Sequence, residues 1–306
     1  MVFRYEYSGG IWIDLEQPNV EEVRDIAREF SISERLETEL LSPTPSPLVA
    51  EDEGAALLVL HFPVHEAEGS DTKVQEIDFI IGSNFIVTVR YEVIVPLHHL
   101  KKLLEAQKLV SNHSAITTDV LLEILFAHLY TSVRDHTDHA AESLSRVEHT
   151  MFDERERDTV QSISKIGREF LHLEAALANQ EESLIRFLAT LGQRDFFGPS
   201  FGQRSQRILA ERTQVAQLVT TYRAIAAELR ETNAALLGAR QNEIIKTLTV
   251  ITVVILPLEL IAVTFGIHAP GAPLEQNPNA FWIIIGLMFS TVVLMLVYFS
   301  RKRWIF

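Results

Sequence analysis

Residues 247–265 read TLTVITVVILPLELIAVTF, nineteen positions with a single charge, and residues 280–299 read AFWIIIGLMFSTVVLMLVYF, twenty with none. A helix needs about 20 residues to cross the hydrocarbon core of a bilayer, and each run is long enough. Apolarity on every side also sets them apart from the helices of soluble proteins, which show one apolar stripe. Two membrane spans, at 247–265 and 280–299, are therefore expected. Between them, GIHAPGAPLEQNPN (266–279) contains helix-breaking Pro and Gly and no Lys or Arg, as suits a short external loop. Arg301, Lys302 and Arg303 follow the second run and Lys246 precedes the first, so the positive-inside rule places both ends of the hairpin in the cytoplasm, with 300–306 as a basic cytosolic tail. The start, Met1 to Ser8, has no basic segment followed by an apolar run, and no cleavable signal peptide is expected there.

The charge is unevenly shared. The whole chain carries −14, while residues 247–306 carry +1 and residues 1–246 carry −15. An acidic surface opposes nucleic-acid binding, which needs basic side chains to displace phosphate counterions, and it attracts cations. With no cysteine, disulfides, iron–sulfur clusters, thiolate metal sites and a cysteine nucleophile are excluded.

Outward from the spans, residues 1–113 mix strand-like and helix-like segments and read as an α/β head. Strands are expected at 11–15, 55–62, 74–81 and 84–90, with a hairpin at Gly82-Ser83. Helices are expected at 20–41, split near 31–33, and at 94–109. From residue 114 to 246 the pattern is helical: 115–191 has no proline, Gly198-Pro199-Ser200 breaks it, and a second stretch starts near Ser205 and runs without proline to Pro257. This predicts a helix of more than 50 residues that is stalk and first span at once, a length that calls for partners. Asn242, Ile245, Thr249, Thr252, Leu256, Glu259 and Val263 are spaced alternately by three and four, which keeps them on one face. Such a face lines a water-filled path in a ring of parallel helices, or it forms a dry packing seam, since small residues and Thr serve both. Spacing alone leaves both open. Glu259, a carboxylate inside an apolar run, is a functional candidate by position.

The sequence Gln241-Asn-Glu-Ile-Ile-Lys-Thr-Leu-Thr249, then Leu256-Pro257, Leu260-Ile-Ala262, Phe265-Gly266 and Tyr298-Phe299, resembles the CorA family of magnesium transporters, with weaker similarity at Trp12-Ile-Asp-Leu15 and Ser83-Asn84-Phe85-Ile-Val-Thr88. The resemblance implies an α+β membrane protein: a homopentameric funnel with a cytosolic αβα head, a helical stalk continuous with a pore-lining first span, and an outer second span. It implies divalent cations as substrate, Mg²⁺ first, no cofactor, no enzymatic activity, and residence in the inner (plasma) membrane. Pore-lining positions would be Asn242, Leu248, Thr249, Thr252, Leu256, Glu259 and Val263. Of these, Leu248 and Leu256 would constrict.

Three departures from the family pattern bear on the ion. The family's Gly-Met-Asn reads Gly266-Ile267-His268 here. Amide oxygens suit hydrated magnesium, whereas imidazole nitrogen suits zinc, nickel, cobalt or copper and changes charge near neutral pH. A zinc transporter of ZntB type, proton-coupled or not, is therefore the alternative, and a non-conducting membrane-anchored sensor or scaffold is the reading from another class. Glu259 repeated around one axis would favour a bound cation. In the stalk, Glu231 matches an acidic family position, but Arg207, within Gln206-Arg207-Ile-Leu-Ala-Glu211, stands where metal-sensing members carry aspartates. Candidate metal contacts are thus Glu259, His268 and Glu231. Asp135, His136 and His139 have metal-compatible spacing but read as a solvated helix face, His98-His99 carries less, and Ser162-x-x-Lys165 lacks the partner motifs of acyl enzymes.

Overall fold

The computed structural model describes residues 2–64, 73–110, 116–151, 156–194, 196–266 and 278–302. The chain divides into two compact units, Met1–Arg230 and Glu231–Phe306.

The first unit is built on a six-stranded sheet ordered β1-β2-β6-β5-β4-β3, with β1 Val2–Tyr7, β2 Gly10–Glu16, β3 Leu48–Glu51, β4 Ala56–Val64, β5 Lys73–Ile81 and β6 Phe85–Arg90. Only β2 and β6 run parallel; the other neighbours are antiparallel. Side chains alternate between faces along a strand. On one face Ile13, Leu15, Leu57, Val59, Ile80, Val87 and Val89 pack with Val23, Ile26 and Ala27 of α1 (Val20–Glu29) and Leu36 of α2 (Glu34–Glu39). On the other, Phe79 stacks on Phe126 and Phe62 meets Tyr130 of α4 (Thr118–Thr150). Helices on both sides explain why every residue of β6 is buried. α3 spans Val95–Val110.

The four expected strands and the 31–33 helix break are present. Asn19 and Glu22 form a capping box that starts α1, and Ser31 takes a positive φ of 52° where α1 ends. The edge strands β1 and β3 are additions to the sequence reading. The helical stretch expected over 115–191 is two helices, α4 and α5 (Glu156–Gln193). They are joined across the sheet by a polar relay: Tyr130 donates to Gln180 Oε1 (3.1 Å), and Gln180 Nε2 donates to the His61 carbonyl (2.5 Å).

Helix α6, Phe201–Gly266, is continuous over 66 residues and passes through Pro257. Its first half is pinned by arginines. Arg204 bonds Asp119 (2.8 Å) and Glu123 (2.6 Å) on α4, and the buried Arg212 donates to the Leu177 carbonyl of α5 (2.7 Å) and pairs with Glu181 (3.0 Å). α7 spans Ala280–Arg301. The architecture is an N-terminal αβα head, a long helix that carries the first apolar segment, and a second apolar helix.

One buried acid sets a pH-dependent term in the head. Asp78 on β5 is fully buried, and its Oδ2 accepts from the Tyr91 hydroxyl (3.3 Å). Burial first, then Glu76, push its carboxyl well above the usual carboxylate range. The folded chain therefore holds this proton more tightly than the unfolded chain, and the stability it contributes is present below about pH 4 and lost as pH rises through the raised folded value. Asp78→Asn keeps an acceptor for Tyr91 and removes the ionisation. Urea unfolding should show the variant gaining on the parent chain as pH rises from about 4 through the raised folded value; a constant difference would refute the assignment.

Candidate functional site

The apolar segments of α6 and α7 are bare of cover from their own chain: 6% of the first window and none of the second is buried. The core helices of a soluble protein would be mostly covered, so the two segments are candidate membrane spans on exposure as well as length.

Asn242, Leu248, Thr249, Thr252, Leu256, Glu259 and Val263 all lie on α6 and are all exposed, with Leu248 at 61%, Leu256 at 59% and Val263 at 59%. A straight helix drifts by ~20° per heptad, so the stripe from Asn242 to Val263 turns by roughly 60° over its three heptads. It therefore remains a single face. The hydroxyls of Thr249 and Thr252 donate to the carbonyls of Ile245 (2.7 Å) and Leu248 (2.9 Å), one turn back. Each hydroxyl has one proton, and using it within the helix leaves oxygen lone pairs as the outward chemistry of both residues. Pro257 has no N–H, which removes the donor that would bond the Val253 carbonyl. Acceptors, not donors, therefore dominate this part of the helix.

Glu231 is exposed on α6. Gly266 ends the helix, whereas Ile267 and His268 lie outside the described residues, as do most of the 266–279 loop and Arg303. Arg207 is engaged with Glu123 (3.2 Å), so the stalk position that departs from the family pattern holds an ion pair within the head. The solvated-face reading of the histidine motif holds for Asp135 and His139, which are exposed, but not for His136, which is buried and bonds Glu169 of α5 (2.7 Å). Among the described residues, no group of three His, Asp or Glu side chains is arranged to hold a metal.

Sequence reasoning missed a buried ion cluster that joins β2, β6 and α3. Asp14 and Arg90 are fully buried; Arg90 Nη2 donates to Asp14 Oδ2 (3.0 Å), Thr88 donates to Asp14 Oδ1 (2.6 Å), Trp12 Nε1 donates to Thr88 (3.1 Å), and Lys101 of α3 pairs with Asp14. The signal was present in the i, i+2 spacing of Trp12 with Asp14 and of Thr88 with Arg90, which puts all four on one sheet face.

An αβα head, an unbroken helix that enters an apolar segment with an acceptor-rich stripe, and a second apolar helix define the class by its architecture: a protein with two candidate membrane spans. The family model described as CorA-like Mg²⁺ transporter protein matches residues 7–303, and the chain belongs to that family. A cobalt/magnesium transport protein CorA from Methanocaldococcus jannaschii is 21% identical over 96% of this chain and 91% of the relative. The complete structure of the CorA magnesium transporter from that organism superposes with a TM-score of 0.81 at 21% identity, covering 97% of this chain and 92% of the other. The full-length CmaX protein gives a TM-score of 0.72 at 19% identity over 96% of this chain and 89% of its own. The cytoplasmic domain of ZntB from Vibrio parahaemolyticus gives 0.55 at 12% identity over 77% and 90%. At these identities the superpositions establish the fold.

Proposed function

We propose that the chain assembles as a homopentamer around an axis lined by the Asn242–Val263 stripe and moves divalent cations, magnesium foremost, across the plasma membrane, with both ends of the hairpin in the cytoplasm. The observation that carries the reading is the acceptor stripe: Asn242, Thr249, Thr252 and Glu259 offer oxygen at regular intervals along one exposed face of a helix whose family transports Mg²⁺. Oxygen ligands and a retained water shell are what magnesium requires, and rings of carbonyl, hydroxyl or carboxylate oxygen can replace or hold that shell. Leu248 and Leu256 supply apolar constrictions that gate by dewetting. Glu231 adds negative charge on the cytosolic approach. The M. jannaschii relative's description as a cobalt/magnesium transport protein agrees with this ion class.

His268 favours a second reading, transport of Zn²⁺, Co²⁺ or Ni²⁺, because imidazole at the Gly266-Ile267-His268 mouth prefers borderline metals to magnesium. Purified protein in liposomes distinguishes the readings by flux of each ion. Under the primary reading Mg²⁺ flux is substantial, and His268→Ala shifts the order of ions or the pH dependence between about pH 5.5 and about pH 8. Flux of every metal unchanged across that range would remove His268 from the selectivity loop. No flux of any divalent ion would leave a membrane-anchored sensor or scaffold as the function.

A further inference from the structure

Away from the α6 stripe, the head has a cleft of about 400 Å³ where residues 43–45 pass the ends of β4 and β5. Its polar walls are incompletely matched. The Thr44 N–H donates to both oxygens of Glu76 (2.9 and 2.8 Å), and the Thr44 carbonyl accepts from His61 Nε2 (2.9 Å). Because a carbonyl only accepts, Nε2 carries a proton, which leaves the other ring nitrogen, Nδ1. That atom is buried with no hydrogen-bond partner among the described residues.

Gln75 lines the same cleft and is 7% exposed; its Nε2 donates to Glu92 (2.7 Å), and its buried Oε1 has no partner among the described residues. A buried acceptor without a donor is costly, so Gln75 Oε1 calls for an N–H or O–H from a ligand. Glu76 and Glu92 add negative charge, and no Lys or Arg is among the described lining residues. Pro43, Pro45 and Val74 make the remaining wall apolar. A metal ion fits this chemistry poorly: both Glu76 oxygens are already occupied by Thr44, and a hard cation wants about six oxygens.

We propose that this cleft binds a protonated alkylamine, its ammonium donating to Gln75 and Glu92 and its methylene chain lying along Pro43, Pro45 and Val74. The site is independent of the transport reading. The test is calorimetric titration of the full chain in detergent with 1,4-diaminobutane, with 1,4-butanediol as the neutral match and with Mg²⁺ as a competitor. Glu92 is exposed at the rim, so Glu92→Gln removes the charge without disturbing the core. Saturable diamine binding that weakens about tenfold in Glu92→Gln, persists in Glu259→Gln and is absent for the diol supports the site. Absence of diamine binding, insensitivity to Glu92→Gln, loss in Glu259→Gln, equal binding of the diol, or displacement by Mg²⁺ at equal concentration overturns it.

Discussion

Glu259→Gln is expected to lower divalent-cation flux through reconstituted protein by about tenfold, the equivalent of ~1.4 kcal/mol of lost cation attraction. The substitution keeps shape and an oxygen acceptor and removes only the charge, so it separates electrostatics from coordination. In the proposed ring every subunit contributes one carboxylate at the same depth, within a helix otherwise free of charge from Thr247 to Gly266. A charge in that setting is weakly screened, and its loss is felt by Mg²⁺, Co²⁺ and Zn²⁺ alike, since all carry the same charge. Thr252→Val, which removes one neutral oxygen per subunit, should have the smaller effect. Flux equal to the parent protein for all ions would take Glu259 out of the pathway.

Arg90→Met should destabilise the head by roughly 3–5 kcal/mol, the range for breaking a buried ion pair from one side. Methionine replaces much of the arginine volume, so the loss falls on charge balance. Asp14, fully buried, would keep Thr88 and Lys101 but lose both bonds from Arg90, and the Arg90 bond to Glu16 would vanish with them. Pairing the change with Asp14→Leu should recover part of the loss, because the second substitution removes the stranded carboxylate. Urea unfolding followed by the fluorescence of the buried Trp12 reads the effect; a change below about 1 kcal/mol would show that the cluster is dispensable.

These two residues show how differently the two halves of the molecule can be read. Glu259 stands out in the primary sequence because it is the only charged residue from Thr247 to Gly266, and its immediate neighbours from Val253 to Val263 are all apolar. Arg90 does not stand out. A basic residue at the end of a strand usually reaches solvent, and only the parallel pairing of β2 with β6, with α3 laid over that face, buries it against Asp14. The same holds for the cleft: Thr44, His61, Gln75 and Glu92 come from separate segments, and no spacing rule joins them.

Periodicity and composition by themselves determined the two candidate spans, the long helix that runs into the first of them, the four inner strands and the shared helix face from Asn242 to Val263. Each of those depends on residues near one another in the chain, where apolar run length and three-four spacing act directly on local structure. Edge strands β1 and β3, the division of the 115–191 stretch into α4 and α5, the burial of His136 and the charge pairs that hold α6 to α4 were decided by tertiary structure. Their partners lie tens of residues away, and whether a polar side chain is solvated or buried is a property of what packs over it.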